Sequence, residues 1–133
     1  MQTNRPFREL SKRTKEFALR IIKLYAALPR TSEAQVIGRQ ILRSGTSVGA
    51  NYREALRARS KPEYAAKLNI GLQELEETLY WLELLEEGRI SIGAETKSLQ
   101  AETGELSAIF VTLIKKARGS NAVRKAATVP ATG

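Results

Sequence analysis

The residues of this sequence best suited to chemistry are basic side chains on two predicted helices. At about 100° per residue, four arginines of the second predicted helix lie within an arc of about 80°. This arginine stripe consists of Arg39, Arg43, Arg53 and Arg57. On the first predicted helix, the basic residues opposite the apolar side include Arg8, Lys12 and Lys15. Guanidinium and ammonium groups in such arrays neutralise phosphates of RNA or DNA without reading bases.

The charge is distributed unevenly along the chain. The net charge is +8 and the isoelectric point is about 10.0. Eight basic and two acidic residues give residues 1–30 a charge of +6, whereas three basic and seven acidic residues give residues 61–90 a charge of −4. A strongly basic protein favours a polyanionic partner, either nucleic acid or an anionic membrane surface.

Three interpretations of the arginine stripe remain open. Its residues contact nucleic-acid phosphates, or they pair with Glu76, Glu83 and Glu87 of a neighbouring subunit, or they form a solvated face. The first two are compatible, since an oligomer multiplies a modest basic patch. Tyr52 is the one aromatic residue predicted near the stripe, so we expect backbone or shape recognition with little sequence specificity. The apolar side of the first helix is needed for a core, which disfavours the membrane surface.

Catalysis has few candidate residues. The chain contains no histidine and no cysteine, which removes the commonest general base, a thiolate nucleophile and the commonest metal ligands. Glu54, Glu74 and Glu77 are carboxylates on predicted helices, where salt bridges are the more frequent role. We therefore expect no enzymatic activity, no cofactor and no metal.

A polar group interrupts the apolar side of the second helix. Ser47, Asn51 and Glu54 lie on adjacent faces and are predicted to form a hydrogen-bonded structural cluster. A ligand site is the alternative for these three residues. Gly45 and Gly49 lie nearby, and small residues there allow another backbone to approach closely.

Four apolar ladders with alternating steps of three and four residues must position these groups. Such steps place residues on one side of a helix, and four amphipathic helices predict an all-α, antiparallel, up-down-up-down four-helix bundle. The ladders run Phe7, Leu10, Thr14, Phe17, Ile21, Leu24, Leu28; Ile37, Ile41, Ser44, Val48, Asn51, Ala55; Tyr64, Leu68, Gly71, Leu75, Thr78, Leu82, Leu85; and Leu99, Thr103, Leu106, Phe110, Leu113, Ala117.

Helix boundaries follow from local signals. A capping box is predicted at Ser32 with Gln35, and a second at Ser60 with Glu63. Gly88 suits the left-handed position after the third helix. We predict a bundle domain over residues 1–118 and a disordered basic tail over residues 119–133.

The sequence favours a cytoplasmic protein. It lacks cysteine, which is compatible with a reducing compartment. Its first residues lack the apolar run of a signal peptide, and no segment approaches the roughly 20 apolar residues that span a bilayer.

The second helix also carries a family resemblance. Gln40, Arg43, Ser47, Val48, Asn51 and Glu54 keep the spacing of a signature of the four helix bundle protein family, also called the 23S rRNA intervening-sequence protein family. The third helix continues the match through Ser60, Tyr64, Gly71, Glu74 and the block 80–82. Ala55 stands where the family often has glycine. The resemblance covers about residues 7–117.

This resemblance implies a four-helix bundle that assembles as a homopentamer. Family members are encoded within insertions in ribosomal RNA genes, and related retroelement accessory proteins bind nucleic acid. No enzymatic activity accompanies the family. Together with the charge pattern, it predicts a non-catalytic, oligomeric protein that binds RNA or DNA backbones or acts as a scaffold. The alternative is a structural protein-interaction module, with an unknown protein partner, whose arginine stripe is a subunit interface.

Overall fold

The computed structural model describes the backbone of residues 5–91 and 93–128 and the side chains of residues 9–91 and 93–119. It contains four helices: α1 (Arg5–Ala27), α2 (Ser32–Leu56), α3 (Lys61–Glu87) and α4 (Ala94–Thr128). Each helix packs on the next, and α1 also packs on α4, which closes the bundle. Contacts between early residues of one helix and late residues of its neighbour make every adjacent pair antiparallel. The predicted all-α four-helix bundle is confirmed.

The predicted ladders form the core. Every ladder residue with a described side chain is buried or half-buried; Phe7 lies outside the described side chains. Buried polar ladder residues bond to their own helix, as Thr14 does to the Ser11 carbonyl (3.1 Å) and Thr103 to the Leu99 carbonyl (2.6 Å). No buried side-chain nitrogen or oxygen in the described part lacks a hydrogen-bond partner. The threonine hydroxyls of the core are therefore all hydrogen-bonded.

Two large buried side chains lie outside the ladders. Ile114 of α4 is buried, and so is Tyr52 of α2, whose ring centroid lies 6.0 Å from that of Phe110. Phe110 in turn packs on α3 at Gly71, where an added Cβ would lie 2.6 Å from its ring. The ring of Phe110 therefore packs between Tyr52 of α2 and Gly71 of α3, where the glycine has no side chain to occupy the space.

The helix ends differ from prediction at two places. Thr31, rather than Ser32, caps α2 by accepting a hydrogen bond from the Ala34 amide at 3.4 Å. Ser32 then begins the helix, because the hydroxyl one residue earlier makes the capping bond. After α3, Gly88 is right-handed at φ −79°, and Arg89 takes the left-handed conformation at φ 57°. The Ser60 cap is confirmed by the Glu63 amide at 3.2 Å.

The last helix is longer than predicted. Helical backbone continues to Thr128, past the expected boundary at residue 118. Residues 119–128 contain three alanines, an arginine and a lysine, which favour a helix, and they contain no proline. Residues 129–133 lie outside the described residues, and the division into a domain and a tail stays a prediction.

Candidate nucleic-acid interface

The contact between α1 and α2, here called the α1–α2 seam, is made by glycines. A Cβ added to Gly45 would lie 2.8 Å from Ile21 Cγ1, and one added to Gly49 would lie 3.1 Å from Thr14 Oγ1. A Cβ added to Gly38 would lie 2.7 Å from Leu28 Cδ1 and 2.9 Å from Tyr25 Cδ1. Hydrogen atoms in place of side chains let the two helices approach closely. The glycines of α2 therefore allow close packing against α1 of the same chain.

An open groove of about 310 Å³ runs along this seam. Its walls come from α1 and α2 and include two cations, three hydroxyl groups and three small residues. They are Ser11, Thr14, Lys15, Ala18, Thr46, Gly49, Ala50 and Arg53. Lys15 and Arg53, predicted separately as phosphate contacts, therefore line one groove.

Arg43 has a different environment from the rest of the arginine stripe. It donates hydrogen bonds to Glu77 and, at 3.4 Å, to Glu74, both on α3. It also donates to Gln40 at 3.3 Å. Trp81 Nε1 donates to the same Glu77 at 3.0 Å. Carboxylates of its own bundle thus compensate the charge of Arg43.

Among the described side chains, the other predicted phosphate contacts are exposed. Arg39, Arg53, Arg57 and Lys15 have no carboxylate oxygen within 4.0 Å among the described side chains. Lys12 lies 4.0 Å from Glu16, one turn along the same exposed face. The side chain of Arg8 lies outside the described residues. The outer surface of α1 and α2 therefore keeps most of its predicted positive charge.

The expectation that Tyr52 lies near the stripe is wrong. Its side chain has no exposed area, and burial raises the pKa of its hydroxyl above the ordinary value. The position belongs to the core side of α2, next to Phe110. Tyr52 accordingly offers no ring for base stacking beside the arginine stripe.

The polar group on α2 does not form one cluster of side chains. Asn51 is half-buried and donates to the Ser47 carbonyl at 2.9 Å, while the Ser47 hydroxyl donates to the Arg43 carbonyl at 2.6 Å. Glu54 turns to α3 and pairs with Lys67 at 3.2 Å. These contacts are local helix bonds and an interhelical ion pair, which are structural roles.

A buried hydroxyl pair joins α2 to α3 instead. Thr78 Oγ1 lies 2.8 Å from Ser44 Oγ, and both side chains are fully buried. Thr78 also lies 2.7 Å from the Glu74 carbonyl. Both residues are predicted ladder positions. Their pairing could not be predicted, because it depends on the register between α2 and α3.

Ion pairs also join α1 to α4 through arginines that are not among the predicted site residues. Arg13 pairs with Glu102 at 2.7 Å and with Glu105 at 2.9 Å, and Arg20 pairs with Glu95 at 2.9 Å. The hydrogen bond from Arg20 lowers the pKa of the Glu95 carboxyl. Arg13 and Arg20 each lie next to a residue of the apolar ladder of α1. This position is the sequence signal that distinguishes them from cations on the outer surface.

Metal-ligand clusters and membrane spans can be sought only in the described residues. No group of three or more acidic residues there could hold a metal ion. No helix of these residues is long and apolar enough to cross a membrane. Glu76 and Glu87 are exposed and Glu83 is half-buried, so the acidic surface of α3 remains available to a partner.

Comparisons with known proteins agree with this architecture. The family described as 23S rRNA-intervening sequence protein matches residues 8–112. A crystal structure of a protein of unknown function from the S23 ribosomal protein family of Bacteroides thetaiotaomicron VPI-5482 is 40% identical in sequence, with a TM-score of 0.75. That similarity covers 80% of this chain and 98% of the other. No curated protein matches the chain.

Proposed function

The chain belongs to the 23S rRNA-intervening sequence protein family, and we propose that it binds the phosphate backbone of structured RNA or duplex DNA without catalysis. The binding surface is the outer side of α1 and α2. One observation carries the proposal: among the described side chains, most cations at helix contacts are paired with carboxylates, whereas Arg39, Arg53, Arg57 and Lys15 are exposed without such partners. Unpaired surface cations in one region favour a polyanion.

The mode of recognition follows from the side chains of this surface. Lysine and arginine neutralise phosphates and release counterions, so affinity falls with salt. Because Tyr52 is buried, its ring cannot stack with bases at this surface. Backbone recognition with little sequence preference is the expected result. The family takes its name from intervening sequences of 23S rRNA, so a structured RNA is the first ligand to test.

Fluorescence anisotropy over a salt series tests this function. For Z neutralised phosphates, log K against log salt has a slope of about −0.9Z on duplex DNA. Replacing Arg39, Arg53 and Arg57 by glutamine should flatten the slope and weaken all sequences about equally. A control with Lys115, Lys116 and Arg118 replaced by glutamine removes the same charge from exposed positions of α4. The nucleic-acid assignment fails if the wild type shows no salt-dependent binding.

A homo-oligomeric scaffold is the second candidate function. Leu19 and Ile22 are 53% and 46% exposed on α1, and Val36 is 58% exposed on α2. Apolar side chains on a basic surface favour a protein contact, and Glu76, Glu83 and Glu87 of another subunit would complement its charge. The family resemblance implies a pentamer. Light scattering on a gel-filtration column should then give about five times the 14.7 kDa chain mass.

The two functions are separated by measuring assembly in the same arginine variant. If the oligomer dissociates when Arg39, Arg53 and Arg57 are replaced, these residues belong to the subunit interface. If the oligomer persists and nucleic-acid binding is lost, they contact phosphates. We place either activity in the cytoplasm, which the absence of cysteine supports.

A further inference from the structure

We infer that the groove along the α1–α2 seam holds one phosphate group of the nucleic-acid backbone between Lys15 and Arg53. The inference rests on the proposed function and assigns a specific position within the basic surface. Its starting point is that the two cations belong to different helices, 38 residues apart in sequence, and line the same groove. A phosphate between them would be contacted from both walls.

The donors available in the groove can be identified from its hydrogen bonds. Thr14 donates to the Ser11 carbonyl at 3.1 Å and Thr46 to the Leu42 carbonyl at 2.6 Å, so their hydroxyl hydrogens are already used. The Ser11 hydroxyl makes no hydrogen bond with the described residues. Lys15, Arg53 and Ser11 therefore remain to donate to an anion.

The electrostatics of the groove also favour an anion. Among the described residues, its lining contains two cations and no carboxylate. Arg43 shows the contrast, since carboxylates of α3 already compensate its charge. Charge-assisted hydrogen bonds to phosphate are among the stronger polar contacts. The groove accordingly offers a more favourable position than an isolated arginine of the stripe.

The shape of the groove favours a single backbone unit. Its volume of about 310 Å³ is at the lower end of ligand sites. Ala18, Gly49 and Ala50 supply small apolar walls that a sugar can contact. The glycine contacts of the seam fix the spacing of α1 and α2, so the two cations are held on walls that do not have to be assembled on binding.

Two variants of the full chain test the site with structured RNA and duplex DNA as probes. Lys15→Gln with Arg53→Gln removes the cations, and Ala50→Leu fills the groove without changing charge. Ala50 is exposed on a helix, where leucine is well tolerated. The matched controls are Lys115→Gln with Lys116→Gln, which removes the same charge, and Ala108→Leu, all at exposed positions of α4.

The expected result is specific to the groove. The Lys15/Arg53 double variant should lose roughly tenfold or more in affinity, because a charge-assisted hydrogen bond contributes about that factor. Its salt slope on duplex DNA should become shallower by about 0.9, which corresponds to the one phosphate that the groove holds. Ala50→Leu should weaken binding with an unchanged oligomeric mass, while Ala108→Leu should not. Circular dichroism of each variant establishes that it is folded.

Failure of the site and failure of the proposed function give different results. If the wild type binds but the Lys15/Arg53 variant behaves like the Lys115/Lys116 control, the groove holds no phosphate. Unchanged binding by Ala50→Leu also contradicts the site. If the wild type binds neither RNA nor DNA, the proposed function fails and this inference fails with it.

Discussion

Helix α2 packs on two neighbours through different kinds of contact. Its contact with α3 is here called the α2–α3 seam, and its contact with α1 is the α1–α2 seam. Toward α3, polar groups are compensated: Arg43 pairs with Glu74 and Glu77, and Ser44 lies against Thr78. Toward α1, glycines bring the backbones together, and no ion pair occurs among the described residues.

The difference shows that sharing a helical face does not give residues one role. The arginine stripe spans only about 80° of α2, because the helix turns about 100° per residue. Arg43 nevertheless stabilises the α2–α3 contact, whereas Arg53 lines an open groove on the α1 side. A functional surface is thus defined by the charges that the bundle leaves uncompensated.

The largest expected effect concerns the close approach of α1 and α2. Gly45→Ala should lower the free energy of unfolding by about 1–2 kcal/mol, since overpacking outweighs the gain of about 1 kcal/mol in helix propensity. The new Cβ would meet Ile21 at Cγ1 and Cγ2, near the stem of a fully buried side chain, which cannot swing away. Urea denaturation measures the change.

Gly104→Ala is the matched control for this prediction. Nothing lies within 4 Å of a Cβ at Gly104, so the substitution should raise stability by about 1 kcal/mol. Equal stabilisation by both substitutions would show that the α1–α2 seam is looser than its glycine contacts indicate.

The next effect concerns the hydroxyl pair of the α2–α3 seam. Thr78→Val keeps the shape of the side chain but removes the partner that lies 2.8 Å from Ser44 Oγ. Ser44 then keeps only the Ile41 carbonyl at 3.5 Å, and we expect a loss of about 1 kcal/mol in unfolding free energy.

Thr112→Val separates this pair from an ordinary helix bond. Thr112 is exposed on α4 and bonds only to the Ala108 carbonyl at 3.0 Å, so its replacement should change stability by less than about 0.5 kcal/mol. Thermal or urea unfolding compares the two. A loss at position 78 no larger than at position 112 would contradict a structural role for the pair.

The smallest effect concerns pH and the contact between α1 and α4. Arg20 lowers the pKa of Glu95 below its ordinary value of 4.5. The ionised carboxylate therefore stabilises the fold above the unfolded pKa, and this contribution disappears as pH falls through the lower folded pKa. Because the pair is partly exposed, Arg20→Gln should cost less than about 1 kcal/mol at neutral pH.

A pH series of urea denaturation checks the sign of this effect. The stability difference between wild type and Arg20→Gln should be complete at neutral pH and should shrink below pH 4.5. A difference that grows as the pH falls would contradict the assigned ion pair.

The architecture followed from the sequence because helical periodicity is a local property. The ladders from Leu10 to Ala117 identify which side of each helix is buried without knowledge of its neighbours. The partner of a charged residue depends instead on register and on which helix lies beside it. Arg43 and Arg53 have equivalent standing in the sequence, and only the packed bundle separates them.

Two local predictions failed for the same physical reason. Thr31 and Ser32 can both cap a helix, and Gly88 and Arg89 compete for one left-handed position, so the choice depends on the geometry of the loop.

The prediction for Tyr52 failed because a tyrosine can serve either as a core ring or as a surface ring. Its contact with Phe110 became visible only when α2 and α4 were placed in one bundle.

The most direct test compares Arg43→Gln with Arg53→Gln in salt-dependent binding of duplex DNA. Each variant removes one arginine from the same stripe, so any difference reports how the bundle uses the two charges. Arg53→Gln should make the slope of log K against log salt shallower by about 0.9, whereas Arg43→Gln should leave it unchanged. Equal changes in the two slopes, or a larger change for Arg43→Gln, would contradict the division of the stripe into a structural and a phosphate-binding part.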